Sequence, residues 1–214
     1  TGEIAKGLAD AWKGIRYIRH AENRGCPAAE NTGVRASYGR YIQIISADDM
    51  ATSELLERQL RVLERNPHAV AYSDMLLFGG GKVLGIWKAQ EYDFEKLIVR
   101  NQVPCGIMVA KRGLIEAGGF PEAFRWGRED WAVAVALGRI GYCGEHVSEA
   151  LYMYRREGQS RSLRNKGRDW FAFFMQQMRE TFADIYGGGE RTMGCCGKRS
   201  SVAHISASPQ ATTR

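Results

Sequence analysis

Two pairs of adjacent carboxylates have the types and positions to do chemistry: Asp48 and Asp49, at the end of "YIQIISADD", and Glu129 and Asp130, in "GGFPEAFRWGREDW". Neighbouring like charges repel, so each pair needs something to offset it. Asp48 and Asp49, after Ser46, form a compact oxygen-rich group suited to a hard divalent cation. Mg²⁺ or Mn²⁺ takes few protein carboxylates and keeps positions for substrate phosphates. Capping of the helix that follows accounts for the same pair equally well. Glu129 and Asp130 open the apolar stretch from Trp131 to Ile140, where a helix N-terminus favours negative charge. That position can also orient one carboxylate as a general base, with Trp126 and Trp131 restricting water. A cation-side pair and a separate base-side pair are what inverting transfer from a phosphate-activated donor to a hydroxyl requires.

The elements that must position these groups alternate between helix and strand. Ile4, Leu8 and Trp12 recur at helical spacing before Gly14, and "IRYIRH" (Ile15 to His20) then alternates like a strand. Pro27 suits the first position of a second helix, "AAENTGVRASYG", which Gly39 ends. The strand "YIQII" follows. Ser53 is the N-cap candidate of a third helix with Leu56, Leu60 and Leu63 as its buried stripe and Asn66-Pro67 as its stop. "AVAYSD" reads as a further strand, and Gly79 to Lys82 as a hairpin tip. This alternation predicts an α/β fold, a mixed and mostly parallel sheet flanked by helices. Ligands of such sheets bind beyond the carboxyl ends of the strands, where Asp48 and Asp49 fall.

Composition narrows the function classes. A chain of 214 residues with 44% hydrophobic and 25% charged residues can bury a sizeable core. No apolar run approaches the length of a membrane span. The chain begins with Thr1 and shows no signal-peptide pattern, so its start is read as processed or as preceded by further sequence. Five cysteines with no CxxC spacing fit a reducing, cytoplasmic setting. Cys195 and Cys196 with His204 fall short of the four spaced ligands of a zinc site. The net charge of +6 is concentrated late in the chain, around Arg155, Arg156, Arg161, Arg164, Lys166 and Arg168 and again beyond Gly187. Such a local excess fits phosphate contacts, an anionic surface or a solvated basic face, and no nucleic-acid partner is expected.

The order "RYIRHAENRGCPAAENTGVRASYGRYIQIISADD", "GGFPEAFRWGRED", "ALYMYRREGQS" resembles the family 2 glycosyltransferases, inverting enzymes of the GT-A fold, over the first residues to about Ser160. The resemblance implies a nucleotide-diphosphate sugar donor, a divalent cation and a hydroxyl acceptor on a glycan, lipid or protein. It assigns Asp48 and Asp49 to the metal and nucleotide site, with Asp48 in direct contact, and places Ser46 where many members carry Asp. Asp130 becomes the base and Glu129 its support. Asn23, Gly25, Asn31 and Gly33 correspond to the nucleotide side, and Cys105 and Gly106 to the donor sugar. Trp126 joins the substrate contacts, and Arg155 and Arg156 match a late segment in reach of the diphosphate. Glu30 stands where many members have Arg, so no phosphate-binding role is carried to it. The donor-specifying loops are expected between Leu77 and Asn101.

The first strands of the family's nucleotide half have no counterpart here, so a partial GT-A core over residues 1–160 is expected, binding nucleotide sugar weakly and pairing with another copy through exposed edges. A catalytically inactive binding relative is the alternative. Residues 161–186 read as an amphipathic helix with Trp170, Phe173, Phe174 and Met178 as its stripe, packed on the core or resting on the inner face of a membrane. Residues 187–214 read as a disordered tail.

Overall fold

The longest strand organises the molecule. In the computed structural model, which describes residues 1–157 and 167–187, "AVAYSDMLLFG" forms β3 (Ala69–Gly79), and its first residues are buried without alternation. Such a run marks a strand covered on both faces. Around it lie β1 (Tyr41–Gln43), β2 (Met50–Ala51), β4 (Lys82–Trp87), β5 (Met108–Ala110) and β6 (Cys143–Arg155). The sheet order is β1-β5-β3-β6-β2, and β4 pairs with the far end of β3.

The sheet is mixed, as expected, but its pairings are mostly antiparallel. Among the described residues only β3 and β6 run parallel, Ala69 opposite Cys143 through Phe78 opposite Arg155. The reason lies in the connections. A parallel pair needs a long crossover, and the chain between β3 and β6 supplies one. β3 and β4 are instead joined at Gly80 and Gly81, whose φ values of 56° and 73° make the tight turn read from Gly79 to Lys82.

Helices cover the sheet: α1 (Gly2–Ala11), α2 (Cys26–Ala36), α3 (Leu55–Arg65), α4 (Phe94–Leu97), α5 (Lys111–Glu116) and α6 (Glu129–Arg139), then α7 (Arg168–Thr181) and α8 (Ala183–Tyr186). Every residue of α6 from Trp131 to Gly138 is buried. It is a core helix, apolar all round. In α3 the buried side chains are Leu55, Gln59, Val62 and Leu63, while Leu56 is 54% exposed. The expected stripe is therefore rotated. The N-cap is Glu54, not Ser53, and a polar Gln59 occupies the buried face by donating from Nε2 to the Gly106 carbonyl at 3.0 Å.

Two other expectations change. Ile15 to His20 form no strand, and Ile15 and Ile18 are exposed; alternation alone does not make a strand without a ladder partner for its backbone groups. α1 likewise buries none of its residues. In the C-terminal helices Phe174, Met175, Met178, Phe182 and Ile185 enter the main core, Trp170 packs at its edge, and Phe173 stays exposed. This segment is packed on the core, and no described helix is long and apolar enough to cross a membrane. Cys195, Cys196, His204 and the tail after Gly187 lie outside the described residues.

Candidate active site

Beyond β1 the chain leaves the sheet and carries Ser46, Asp48 and Asp49 to the edge of an open cleft of about 380 Å³. Cys105 and Gly106, just before β5, form its floor. Glu129 and Asp130, in the first turn of α6, line the same cleft. The two acidic pairs are thus brought into one cavity from distant parts of the sequence.

Asp49 is held on both oxygens. The Tyr152 hydroxyl donates to Oδ2 at 2.8 Å, and the Arg155 backbone N–H donates to Oδ1 at 2.8 Å. Burial raises its proton affinity above the ordinary carboxylate value, and those two hydrogen bonds work against the rise. Tyr152 also accepts from the Ser46 N–H at 3.1 Å, so β6 fixes the whole acidic loop. Asp48 is exposed. With Asp49 engaged behind it, Asp48 offers hard oxygen donors toward the cleft, a set that fits a cation such as Mg²⁺ or Mn²⁺.

Asp130 is tuned differently. Burial first, then the neighbouring Glu129, lifts its pKa to about 6, opposed by a hydrogen bond from the Trp131 N–H at 2.8 Å to Oδ1. A carboxylate with that proton affinity is a competent base near neutral pH. The helix that carries it is seated by Trp131, whose Nε1–H donates to the Leu97 carbonyl at 2.6 Å.

The floor depends on Gly106. Its φ is 83°, and a Cβ there would lie 2.2 Å from the Tyr152 ring, so only glycine permits this approach. The Gly106 carbonyl accepts from Gln43 and Gln59. Burial, with the nearby Asp130 and Asp49 charges, pushes the Cys105 thiol well up, so it stays protonated.

Other residues named from the sequence lie around the cleft rather than in it. Asn31 is buried and clamps the loop before α6, donating to the Phe120 carbonyl at 2.9 Å and accepting from the Phe120 N–H at 2.8 Å. Asn23 caps the Gly25 N–H at 2.9 Å in a turn that abuts Arg125. Gly33 is exposed on α2. Trp126 is 57% exposed, with Arg125 over its ring. The Arg155 side chain braces the acidic loop: Nε donates to the Asp48 carbonyl at 2.7 Å, a guanidinium nitrogen meets Glu157, and Phe78 lies beneath it. The Arg156 backbone N–H donates to the Phe78 carbonyl at 2.7 Å.

The cleft also contains residues that the sequence reading did not select, Glu30, Arg128, Tyr154 and Trp170. Cys26 and Glu30, one turn apart on α2, bring ligand atoms within 4.8 Å of one another and of Glu129, a second place where a metal ion could be held. Their four-residue spacing was a visible signal. Trp170 gave none, because it reaches the cleft only through the packing of α7.

Against known proteins, the model of Glycosyl transferase family 2 matches residues 1–132. An uncharacterized glycosyltransferase of Methanocaldococcus jannaschii is 31% identical over 97 residues, 44% of this chain and 33% of its own length. The UDP-Glc:alpha-D-GlcNAc-diphosphoundecaprenol beta-1,3-glucosyltransferase WfgD of Escherichia coli is 24% identical over 108 residues, 50% of this chain and 43% of its own. Among solved structures, S. aureus TarS residues 1–349 in complex with UDP-GlcNAc superposes with a TM-score of 0.59 at 17% identity, covering 75% of this chain and 47% of that one. The likeness to TarS shows a shared fold, the GT-A arrangement of a mixed sheet with flanking helices. The chain spans less than half the length of each of these relatives. With a family model matched over most of its length, the chain belongs to glycosyltransferase family 2.

Proposed function

We propose that this cleft transfers a sugar from a nucleotide-diphosphate sugar to a hydroxyl acceptor on a glycan, lipid or protein, with inversion at the anomeric carbon. One observation carries the reading: Asp48, Asp49, Glu129 and Asp130 line a single cavity, and Asp130 is partly buried there with a pKa of about 6. The acceptor hydroxyl attacks the anomeric carbon as the bond from that carbon to the diphosphate oxygen breaks. Its proton passes to an Asp130 carboxylate oxygen, and the nucleoside diphosphate departs. A single displacement of this kind inverts the configuration. Glu129 disfavours negative charge on Asp130 and so raises its basicity.

Asp48 would hold a Mg²⁺ or Mn²⁺ ion, with Asp49 fixed behind it by Tyr152 and Arg155. When bound, such an ion neutralises the charge of a leaving diphosphate. The printed name of the Escherichia coli relative gives a UDP-Glc donor, and TarS is bound to UDP-GlcNAc; both support a nucleotide-sugar donor.

Two substitutions test the assignment. In Asp130→Asn, transfer is expected to fall at least about a hundredfold while donor binding persists; equal loss of both, in a calorimetric titration beside a transfer assay, would make Asp130 a structural residue. Asp48→Ala is expected to remove divalent-cation dependence and weaken nucleotide binding. Persistence of both would overturn the metal assignment.

A further inference from the structure

Arg128 is the only described non-glycine residue with a positive φ, 63°, and it occupies the N-cap of α6 immediately before the acidic pair. Glycine or asparagine takes that backbone conformation more readily, and a residue held there against preference usually serves a purpose at a functional site. The side chain indicates the purpose. The guanidinium carbon lies 5.1 to 5.8 Å from the centroids of Trp131, Trp170, Phe171 and Phe174, rings contributed by α6 and α7. Such rings attract the cation through their π faces. They supply no oxygen to its five N–H donors. Burial lowers its proton affinity, which the charge of Asp130 partly restores, and the group makes no hydrogen bond or ion pair with the described residues.

The setting makes such a cation useful. Among the described residues lining the cleft, Glu30, Asp48, Asp49, Glu129 and Asp130 are acidic, and Arg128 alone is basic. A phosphoryl group entering between these carboxylates meets repulsion on every side except that of Arg128. A planar guanidinium matches phosphate oxygens with paired donors.

We propose that Arg128 is a phosphate-binding residue of this cleft, its guanidinium held by the aromatic rings of α6 and α7 so that its N–H groups meet a phosphoryl group of one of the two substrates. The inference rests on the glycosyltransferase reading above. The phosphoryl group belongs either to the donor's diphosphate or to a phosphate on the acceptor, and the test separates them. The full chain, in wild-type and Arg128→Asn forms, is titrated with UDP and Mn²⁺, with uridine as the phosphate-free control, and with farnesyl diphosphate in the presence of UDP and Mn²⁺. Asparagine accepts the backbone conformation, so the variant removes the guanidinium without adding strain, and a circular-dichroism melt checks its fold. Affinity for one phosphate probe is expected to fall about ten- to a hundredfold, with uridine unaffected. Loss on UDP assigns the contact to the donor, and loss on farnesyl diphosphate alone assigns it to the acceptor. If Arg128→Asn melts early, Arg128→Lys replaces it. Lysine keeps a cation among the rings without the paired donors, and a loss of about three- to tenfold is expected. Affinities for both probes within about twofold of wild type in the folded variant would overturn the proposal. If neither UDP nor farnesyl diphosphate binds the wild-type chain, the nucleotide-sugar reading and this one fall together.

Discussion

Asp130 sits where two effects raise its proton affinity, burial and the adjacent Glu129 charge, and this gives it a signature in both rate and stability. A base must be ionised to act, so transfer should reach a plateau above about pH 6 and fall roughly tenfold per unit below it. A pH profile of kcat/KM measures this; a profile flat through pH 6 would deny Asp130 the role. The stability effect has the opposite sense. A carboxyl whose folded pKa exceeds its unfolded value of 3.8 binds its proton more tightly when folded. Its contribution is therefore fully present below about pH 4 and is lost as the pH rises through about 6. Asparagine imitates the protonated form. Asp130→Asn should accordingly stabilise the fold by about 1–3 kcal/mol at pH 8, with the gain over wild type shrinking toward pH 4, as measured by urea unfolding at each pH.

At the scale of elements, α3 separates what the sequence displays from what it conceals. Counting leucines selected Leu56, Leu60 and Leu63, but the buried face runs through Leu55, Gln59, Val62 and Leu63. Apolar periodicity could not rank Gln59 as a core residue, because its burial depends on the Gly106 carbonyl supplied by a distant loop. Leu55→Ala should cost about 2–5 kcal/mol, whereas Leu56→Ala should stay within about 0.5 kcal/mol. Equal costs in denaturant melts would restore the leucine stripe. The same division runs through the site. The acidic pairs were legible because charge at a strand end or a helix start is a local pattern. Asn31 was legible only as a site residue, since its role as a clamp on Phe120 joins α2 to a remote loop. The strand expected over Ile15 to His20 failed for want of a neighbour, and the parallel majority failed because β1 and β3 both pair antiparallel with β5, β2 pairs antiparallel with β6, and a hairpin turn reverses β4. Local pattern fixed the element types, while long-range partners decided which of them paired and which faces they buried.

Across the whole molecule, the two acidic segments of the cleft are braced by different elements. Tyr152 and Arg155 of β6 fix the acidic loop, while the rings of α7 back the helix that carries Asp130. Phe174 is central to the second brace. It is 1% exposed, its centroid lies 4.8 Å from that of Trp131, and it also contacts Phe124, Trp170 and Phe171. Phe173, its neighbour in sequence, is 46% exposed. If α7 is part of the core, truncating these two phenylalanines should have very different consequences. Phe174→Ala should cost about 3–5 kcal/mol through lost burial and the cavity left beside Trp131, whereas Phe173→Ala should change stability by less than about 0.5 kcal/mol. Guanidinium unfolding followed by tryptophan fluorescence measures both, since Trp131 and Trp170 report on the same cluster. A helix that merely lay along the surface would give two small and similar values, and α7 would then have no part in shaping the wall from which Asp130 acts.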